Sequence, residues 1–360
     1  MLTVLLVVGI LVLLIVVHEI GHFIAAKLSG VTVEEFGVGY PPRAFTLGRW
    51  GGTEYTINWI PFGGFVRLFG DDDDGVHGKG TFADAPSYKQ ALILLAGVLG
   101  NLLAGWLLFA AAYNVGILHT VSEPTADARL LVSDVVPSSP ADAAGLRGGD
   151  YIVSVHDAGG EEPPLTPEGI TAFMSERGGE HITVTYERRG ETATVPVRPA
   201  HAVVPGEAQR PAIGVGLALV TSASVPWGEA LLEAAVSSYR TLQLVLEGVG
   251  RLAGDALRGE PDLSGVTGPV GLVGVVGEAA DNGWGYLLSL AAFISLNLVI
   301  INLVPIPALD GGRLVIVGLE ALMRRTAPRL AVQVLNTVGI ALIILLMITV
   351  TYNDVAQLFS

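Results

Sequence analysis

The chain has 360 residues, 51% of them apolar and only 15% charged. Soluble domains carry about 25% charged residues, so this composition reads as a membrane protein with an aqueous part. The net charge of −14 argues against nucleic-acid binding; the absence of cysteine removes disulfides, thiolate zinc sites and thiol catalysis, leaving His and carboxylate as ligand types.

Taken in order, residues 1–26 read as a first transmembrane helix. The run lacks a basic leader and a small-residue cleavage site, so it reads as a retained span. Near its end stands His18-Glu19-Ile20-Gly21-His22. On a helix, residues four apart share a face, so two imidazoles can hold one Zn²⁺. Glu19, on an adjacent face, can take a proton from a water held by the metal. Three ionisable groups in a lipid-length segment are costly and point to function.

Residues 27–90 form a loop rich in Gly, Pro and aromatics. Thr53–Trp59 and Phe62–Phe69 read as short strands of a membrane-associated β-hairpin. The hairpin is either a structural plug or an exposed edge that pairs with an extended peptide. Asp71–Asp74 reads as a solvated loop, because a calcium loop needs alternating ligands and a closing Glu. His77 reads as an inert loop residue.

Residues 91–116 are the second span. Gly97, Gly100, Ala104 and Gly105 permit close helix contact. Asn101 is its one internal amide, which makes either an interhelical hydrogen bond or a contact to the active site.

Residues 120–205 change character, with short β-type runs between Pro, Gly, Asp and Arg. Val132–Val136, Gly149–Val155, His181–Glu187 and Thr192–Val197 read as strands. Pro137–Leu146 reads as a short helix closed by Gly145, and Ile170–Glu176 as another. The stretch SPADAAGLRGGDYIVSV in this β-rich context resembles a PDZ domain, a fold that binds extended peptides along a sheet edge.

Residues 206–282 hold an amphipathic helix over Trp227–Leu257 and a Gly-rich connector. The helix is too charged to span; it lies on the membrane, caps the β-rich module, or is a plain core helix. The stretch Gly265–Gly277 is not counted as a span. Residues 283–310 are the third span and residues 330–351 the fourth.

The third span ends in Asn302-Leu-Val-Pro305-Ile-Pro307-Ala-Leu-Asp310-Gly-Gly. A carboxylate at membrane depth is expensive unless it is paired or coordinated, and broken helix is tolerated there only against protein or a wet cavity. Coordinating the metal of His18 and His22 removes the expense. Two His, one carboxylate and a water make a catalytic zinc set.

Together HEIGH, the PDZ-like module and NLVPIPALDGG resemble the site-2 protease family of intramembrane zinc metalloproteases, in its bacterial RseP-like branch with a single PDZ domain. The fold so implied is a polytopic α-helical membrane protein of about four transmembrane helices, with a membrane-associated β-hairpin and one inserted PDZ domain. The resemblance implies His18, His22 and Asp310 as ligands of one Zn²⁺ per chain, and Glu19 as general base. It implies that Asn302, Pro305 and Pro307 orient substrate, and that the hairpin around Gly63, Gly64 and Phe65 holds it extended. The implied partners are a single-span membrane protein substrate, a peptide ligand of the PDZ domain, and membrane lipid. The implied setting is regulated intramembrane proteolysis in a bacterial inner membrane, acting on anti-sigma factors or signal-peptide remnants. Val98 stands where many relatives have Pro, and Arg313 where many have His; neither removes a proposed ligand.

Short-loop charge gives an orientation. Lys27, Arg43, Arg49, Arg67, Lys79 and Lys89 lie between the first two spans, and Arg313, Arg324, Arg325 and Arg329 between the last two. Both loops read as cytoplasmic, which puts the PDZ module outside and the active site near the cytoplasmic face. Two competing readings are a catalytically idle PDZ adaptor, which loss of Glu19 would have favoured, and a metal transporter, which needs polar ligands across the whole bilayer.

Overall fold

The computed structural model describes residues 2–70, 77–121, 123–125, 127–188, 190–203, 210–222, 224–259, 266–325 and 327–358. The acidic run Asp71–Asp74 lies outside them. Two compact units result: one of residues 1–115 and 225–360, the other of residues 116–224.

In the first unit, four helices among the described residues are long and apolar enough to cross a membrane. They are α1 (Leu2–Ser29), α2 (Ser87–Val115), and two later ones named below. At 1.5 Å per residue, α1 exceeds the roughly 30 Å of a hydrocarbon core. It stops in a Schellman turn: Gly30 is left-handed (φ +78°), and the Val31 amide reaches back to the Ala26 carbonyl at 2.9 Å. Helix α2 is the hub, packing on α1, on α5 (Trp227–Arg258) and on α7 (Trp284–Leu303). Its glycines permit this. A methyl on Gly100 would sit 2.9 Å from the Val17 carbonyl oxygen, and one on Gly105 would sit 2.8 Å from the Leu296 side chain. The amphipathic helix α5 is a partner of α2: Trp106 Nε1–H donates to the Leu231 carbonyl at 2.9 Å, and the hydroxyls of Tyr113 and Ser237 are 2.6 Å apart.

Between α1 and α2 run β1 (Val33–Trp50) and β2 (Thr53–Leu68), joined at Gly51-Gly52. The hairpin is larger than Thr53–Trp59 against Phe62–Phe69. Both of those segments lie in β2, Phe69 excepted, and their partner is β1. The register is doubled, with Phe36 opposite both Val66 and Tyr55, and Val38 opposite both Gly64 and Ile57. The ribbon therefore folds over on itself. Its base is pinned by a core of Ala26, Val31, Val33, Leu68, Phe82, Ile93 and Leu94, which places the β2 end beside α1 and α2.

The sequence 265–277, which reads as a connector, contains a helix. Helix α6 (Pro269–Asp281) starts with Pro at its first turn. Two amides at its start are satisfied from elsewhere. Asp354, in α9 (Arg329–Leu358), accepts from Gly268 N at 3.1 Å and Gly271 N at 2.8 Å. A cap supplied by another helix also ties α9 to α6. Asp354→Ala is expected to lower stability by about 1 kcal/mol, the usual worth of such a cap. Thermal unfolding in detergent reads this as a fall of a few degrees.

The third span is shorter than residues 283–310. Helix α7 ends at Leu303, because Val304 precedes Pro305 and takes extended geometry (φ −60°, ψ 135°). A six-residue break follows, and Asp310 opens a separate helix, α8 (Asp310–Met323). A carboxylate in a helix's first turn meets the positive end of its dipole. Gly311 and Gly312 let α8 fold back on the Leu303 and Ile306 carbonyls.

The second unit is one antiparallel six-stranded sheet. Its strands are β3 (His119–Thr120), β4 (Arg129–Val135), β5 (Tyr151–Asp157), β6 (Ile182–Arg188), β7 (Glu191–Val197) and β8 (Val215–Thr221), in the order β3-β8-β4-β5-β6-β7. Helices α3 (Pro140–Ala143) and α4 (Pro167–Glu176) complete it. Each starts at a Ser or Thr cap, Ser139 and Thr166, followed by Pro. The unit runs past the expected 120–205, because β8 pairs along β4 from Val215 to Val220. Leu130, Val132, Val155, Phe173, Ile182 and Val184 fill the core. Buried Asp150 is held by two bonds from Arg188, at 2.6 and 2.8 Å. At the surface, amide donation from Glu161 and the Arg177 guanidinium hold the Asp157 carboxyl below its ordinary range.

Candidate metal centre

His18 and His22 sit one turn apart on the face of α1 that meets α2, and both are buried. Their rings stand nearly perpendicular, with centroids 4.6 Å apart. The two Nε2 atoms are 3.0 Å apart. Asp310 Oδ2, at the start of α8, lies 3.0 Å from His18 Nε2 and 3.4 Å from His22 Nε2. Three potential donor atoms from two distant stretches of chain, HEIGH and LDGG, thus converge on one point.

The donor set fits a zinc ion. His22 Nδ1 is 2.8 Å from the Ile93 carbonyl oxygen, which can only accept, so in the neutral ring the proton is on Nδ1 and the Nε2 lone pair faces Asp310. Asp310 Oδ2 is buried and has no hydrogen-bond partner among the described residues. Lone pairs facing one another at this range repel unless a cation lies between them. In a tetrahedral site with metal–nitrogen bonds of 2.0–2.1 Å, neighbouring ligands are about 3.3 Å apart. The separations of 3.0, 3.0 and 3.4 Å match that spacing.

Glu19 is half-buried and lies outside this triangle. The Val66 backbone of β2 lies near its carboxylate. Gly64 comes so close that a methyl there would lie 3.4 Å from Glu19 Cγ. The β2 segment therefore runs along the site. Gly63 has φ +117° and packs against the Tyr40 ring, which stacks on Phe65 with centroids 6.5 Å apart.

Asn302 falls in the last turn of α7, with Pro305 and Pro307 in the break that follows. Those prolines end α7 and let the chain turn to present Asp310. Among the described residues Asn302 makes no hydrogen bond to the ligand set. His77 pairs with Asp84 at 2.9 Å, away from this cluster.

Two contributors on α2 escape a reading by spacing alone. Gly97 lies directly under both imidazoles: a methyl there would be 2.5 Å from His22 Nε2 and 2.7 Å from His18 Cε1. Asn101, fully buried, places its side-chain amide 3.2 Å from His18 Nδ1. This bond between α2 and α1 is at once interhelical and a contact to the candidate site.

The model of peptidase family M50 matches residues 6–346. Zinc metalloprotease RasP of Geobacillus kaustophilus is 27% identical, over 96% of this chain and 96% of its own. RasP of Oceanobacillus iheyensis is 26% identical, over 96% and 97%. A Clostridium perfringens relative with zinc metalloprotease in its name is 30% identical, over 95% of both chains. Among solved structures, the PDZ domain of an SdrC-like protein from Listeria monocytogenes is 18% identical, covering 26% of this chain and 92% of that one, with a TM-score of 0.21.

Proposed function

The chain belongs to peptidase family M50, the site-2 protease family of multi-pass membrane zinc metalloproteases, and on that premise we propose that it cleaves transmembrane segments of single-span membrane proteins. The observation that carries this reading is the meeting of Asp310 with His18 and His22, with Glu19 beside them facing a β-strand.

His18, His22 and Asp310 would hold one zinc ion. When bound, zinc supplies the Lewis acidity that activates a water and polarises a peptide carbonyl. Glu19 takes the proton of the attacking water and passes it to the leaving amine. A helical substrate has its carbonyls tied up and must unwind first; pairing with the Gly63–Phe65 stretch of β2 offsets part of that cost. Asn302, Pro305 and Pro307 help orient the unwound segment near the metal site. The second unit acts as a PDZ module that binds an extended peptide outside the membrane. The natural substrates are anti-sigma factors or signal-peptide remnants, cut near the cytoplasmic face of a bacterial inner membrane.

Metal removal tests the reading. The full chain, purified in detergent, is expected to contain about one zinc and to cut a single-span model substrate. A chelator should abolish cleavage, and added zinc should restore it. His18→Ala and Asp310→Ala should lose both zinc and activity. A wild-type chain that binds no zinc overturns the site. A chain that holds zinc but cuts none of several substrates favours the adaptor.

A further inference from the structure

Each histidine of the proposed ligand pair has a partner for its outer nitrogen on the same face of α2. Ile93, Gly97 and Asn101 are spaced four apart, so they line up along that face opposite His22 and His18. At Ile93 the partner is a backbone carbonyl, 2.8 Å from His22 Nδ1. At Asn101 it is a side-chain amide, 3.2 Å from His18 Nδ1. Gly97 between them leaves room for both rings.

The amide lies with Nδ2 toward His18, and its Oδ1 is buried without a partner among the described residues. Amide oxygen and nitrogen have the same shape, so their assignment follows from chemistry. With Nδ2 donating to Nδ1, the His18 ring proton would sit on Nε2. It would then point into the ligand triangle and compete with a cation there. With Oδ1 in that place, Nδ1–H donates to it and the Nε2 lone pair is free, as the Ile93 carbonyl already arranges for His22. Asn101 is anchored where it can do this, because Ser295 of α7, itself fully buried, donates its hydroxyl to the Asn101 backbone carbonyl at 2.8 Å.

We propose that Asn101 is a positioning residue whose side-chain oxygen accepts the His18 Nδ1 proton, and so fixes the tautomer and ring orientation in which His18 Nε2 ligates zinc. The proposal rests on the zinc reading of His18, His22 and Asp310. Asn101 acts through His18 and touches neither metal nor substrate.

Zinc affinity separates an acceptor from a space-filler. The full chain in detergent is titrated with zinc against a chromophoric chelator, as wild type, Asn101→Leu and Asn101→Asp. Leucine keeps the size and removes the acceptor; aspartate keeps the acceptor. Outer-shell partners of ligating histidines are worth about 10–100-fold in metal affinity. Asn101→Leu is expected to lose that much, and Asn101→Asp to recover most of it. The visible band of bound Co²⁺ should be altered in the leucine variant and near wild type in the aspartate variant. Thermal unfolding in excess chelator checks the fold, and Asn101→Ala replaces the leucine variant if the latter does not fold. Wild-type affinity in the leucine variant overturns the proposal. So does equal loss in the leucine and aspartate variants, which would mark a packing role. A wild type that binds no zinc overturns the metal centre itself and the proposal with it.

Discussion

Glu19→Gln is expected to hold as much zinc as the wild type and to cut a single-span substrate at about one-hundredth of its rate or less, in line with the 10²–10⁴ that a positioned general base contributes. The two halves of this result come from different parts of the geometry. On the proposed reading zinc content depends on His18, His22 and Asp310, whose candidate ligand atoms meet without Glu19. Glutamine has nearly the same shape, so the close approach of Gly64 in β2 to this side chain survives. What it loses is the ability to take a proton. Single-turnover cleavage, measured with zinc quantified on the same preparation, separates the roles. Zinc and rate falling together would make Glu19 part of the metal-holding structure. Unchanged rate would remove it from the chemistry.

The parts of this site that are legible in the sequence are those where residue type and spacing both carry chemistry. His18 and His22 lie four apart on an apolar helix, and Asp310 lies among prolines and glycines beyond another; each is too costly there to be idle. The four long helices are legible from the length of their apolar runs. What stays hidden depends on partners distant in sequence. Helix α6 reads as a Gly/Val connector because its cap, Asp354, comes from another helix. Strand β1 contains Gly37, Gly39, Pro41, Pro42 and Gly48, and so lacks a strand's alternation; it forms because β2 pairs with it along much of its length. Strand β8 belongs with β4 across a long separation, which local pattern does not convey. Sequence pattern puts Asp310 at the end of a helix, and it opens one instead. Pro305 and Pro307 carry that difference, since they stop α7 several residues early. Asn101 is visible in the sequence as an oddity, but only the packing of α2 on α1 shows which atom it meets.

That packing carries the second large expectation: Gly97→Leu should abolish zinc binding and, with it, proteolysis. Even a single methyl at this position would stand 2.5 Å from His22 Nε2, 2.6 Å from His22 Cε1 and 2.7 Å from His18 Cε1. Real side chains do not approach so closely, so either the rings or the helices must move. The helices have little room. Gly21 already meets the Ala96 carbonyl, and Gly100 meets that of Val17, so α1 and α2 are in backbone contact on both sides of Gly97. The rings have little more, because Ile93 and Asn101 hold their outer nitrogens. The strain therefore falls on the ligand atoms themselves. Displacing them should cost affinity on the order of 100-fold or more, at least the worth of an outer-shell partner. Gly97→Ala should show a smaller loss, together with the roughly 1–3 kcal/mol typical of an overpacked interior. Gly9, on α1, supplies the control: a methyl there meets nothing within 4 Å, so Gly9→Ala should leave zinc content and cleavage unchanged. If Gly97→Leu kept full zinc content, α2 would not be the wall against which the two imidazoles are set. The tight glycine contacts along it would then serve helix association alone.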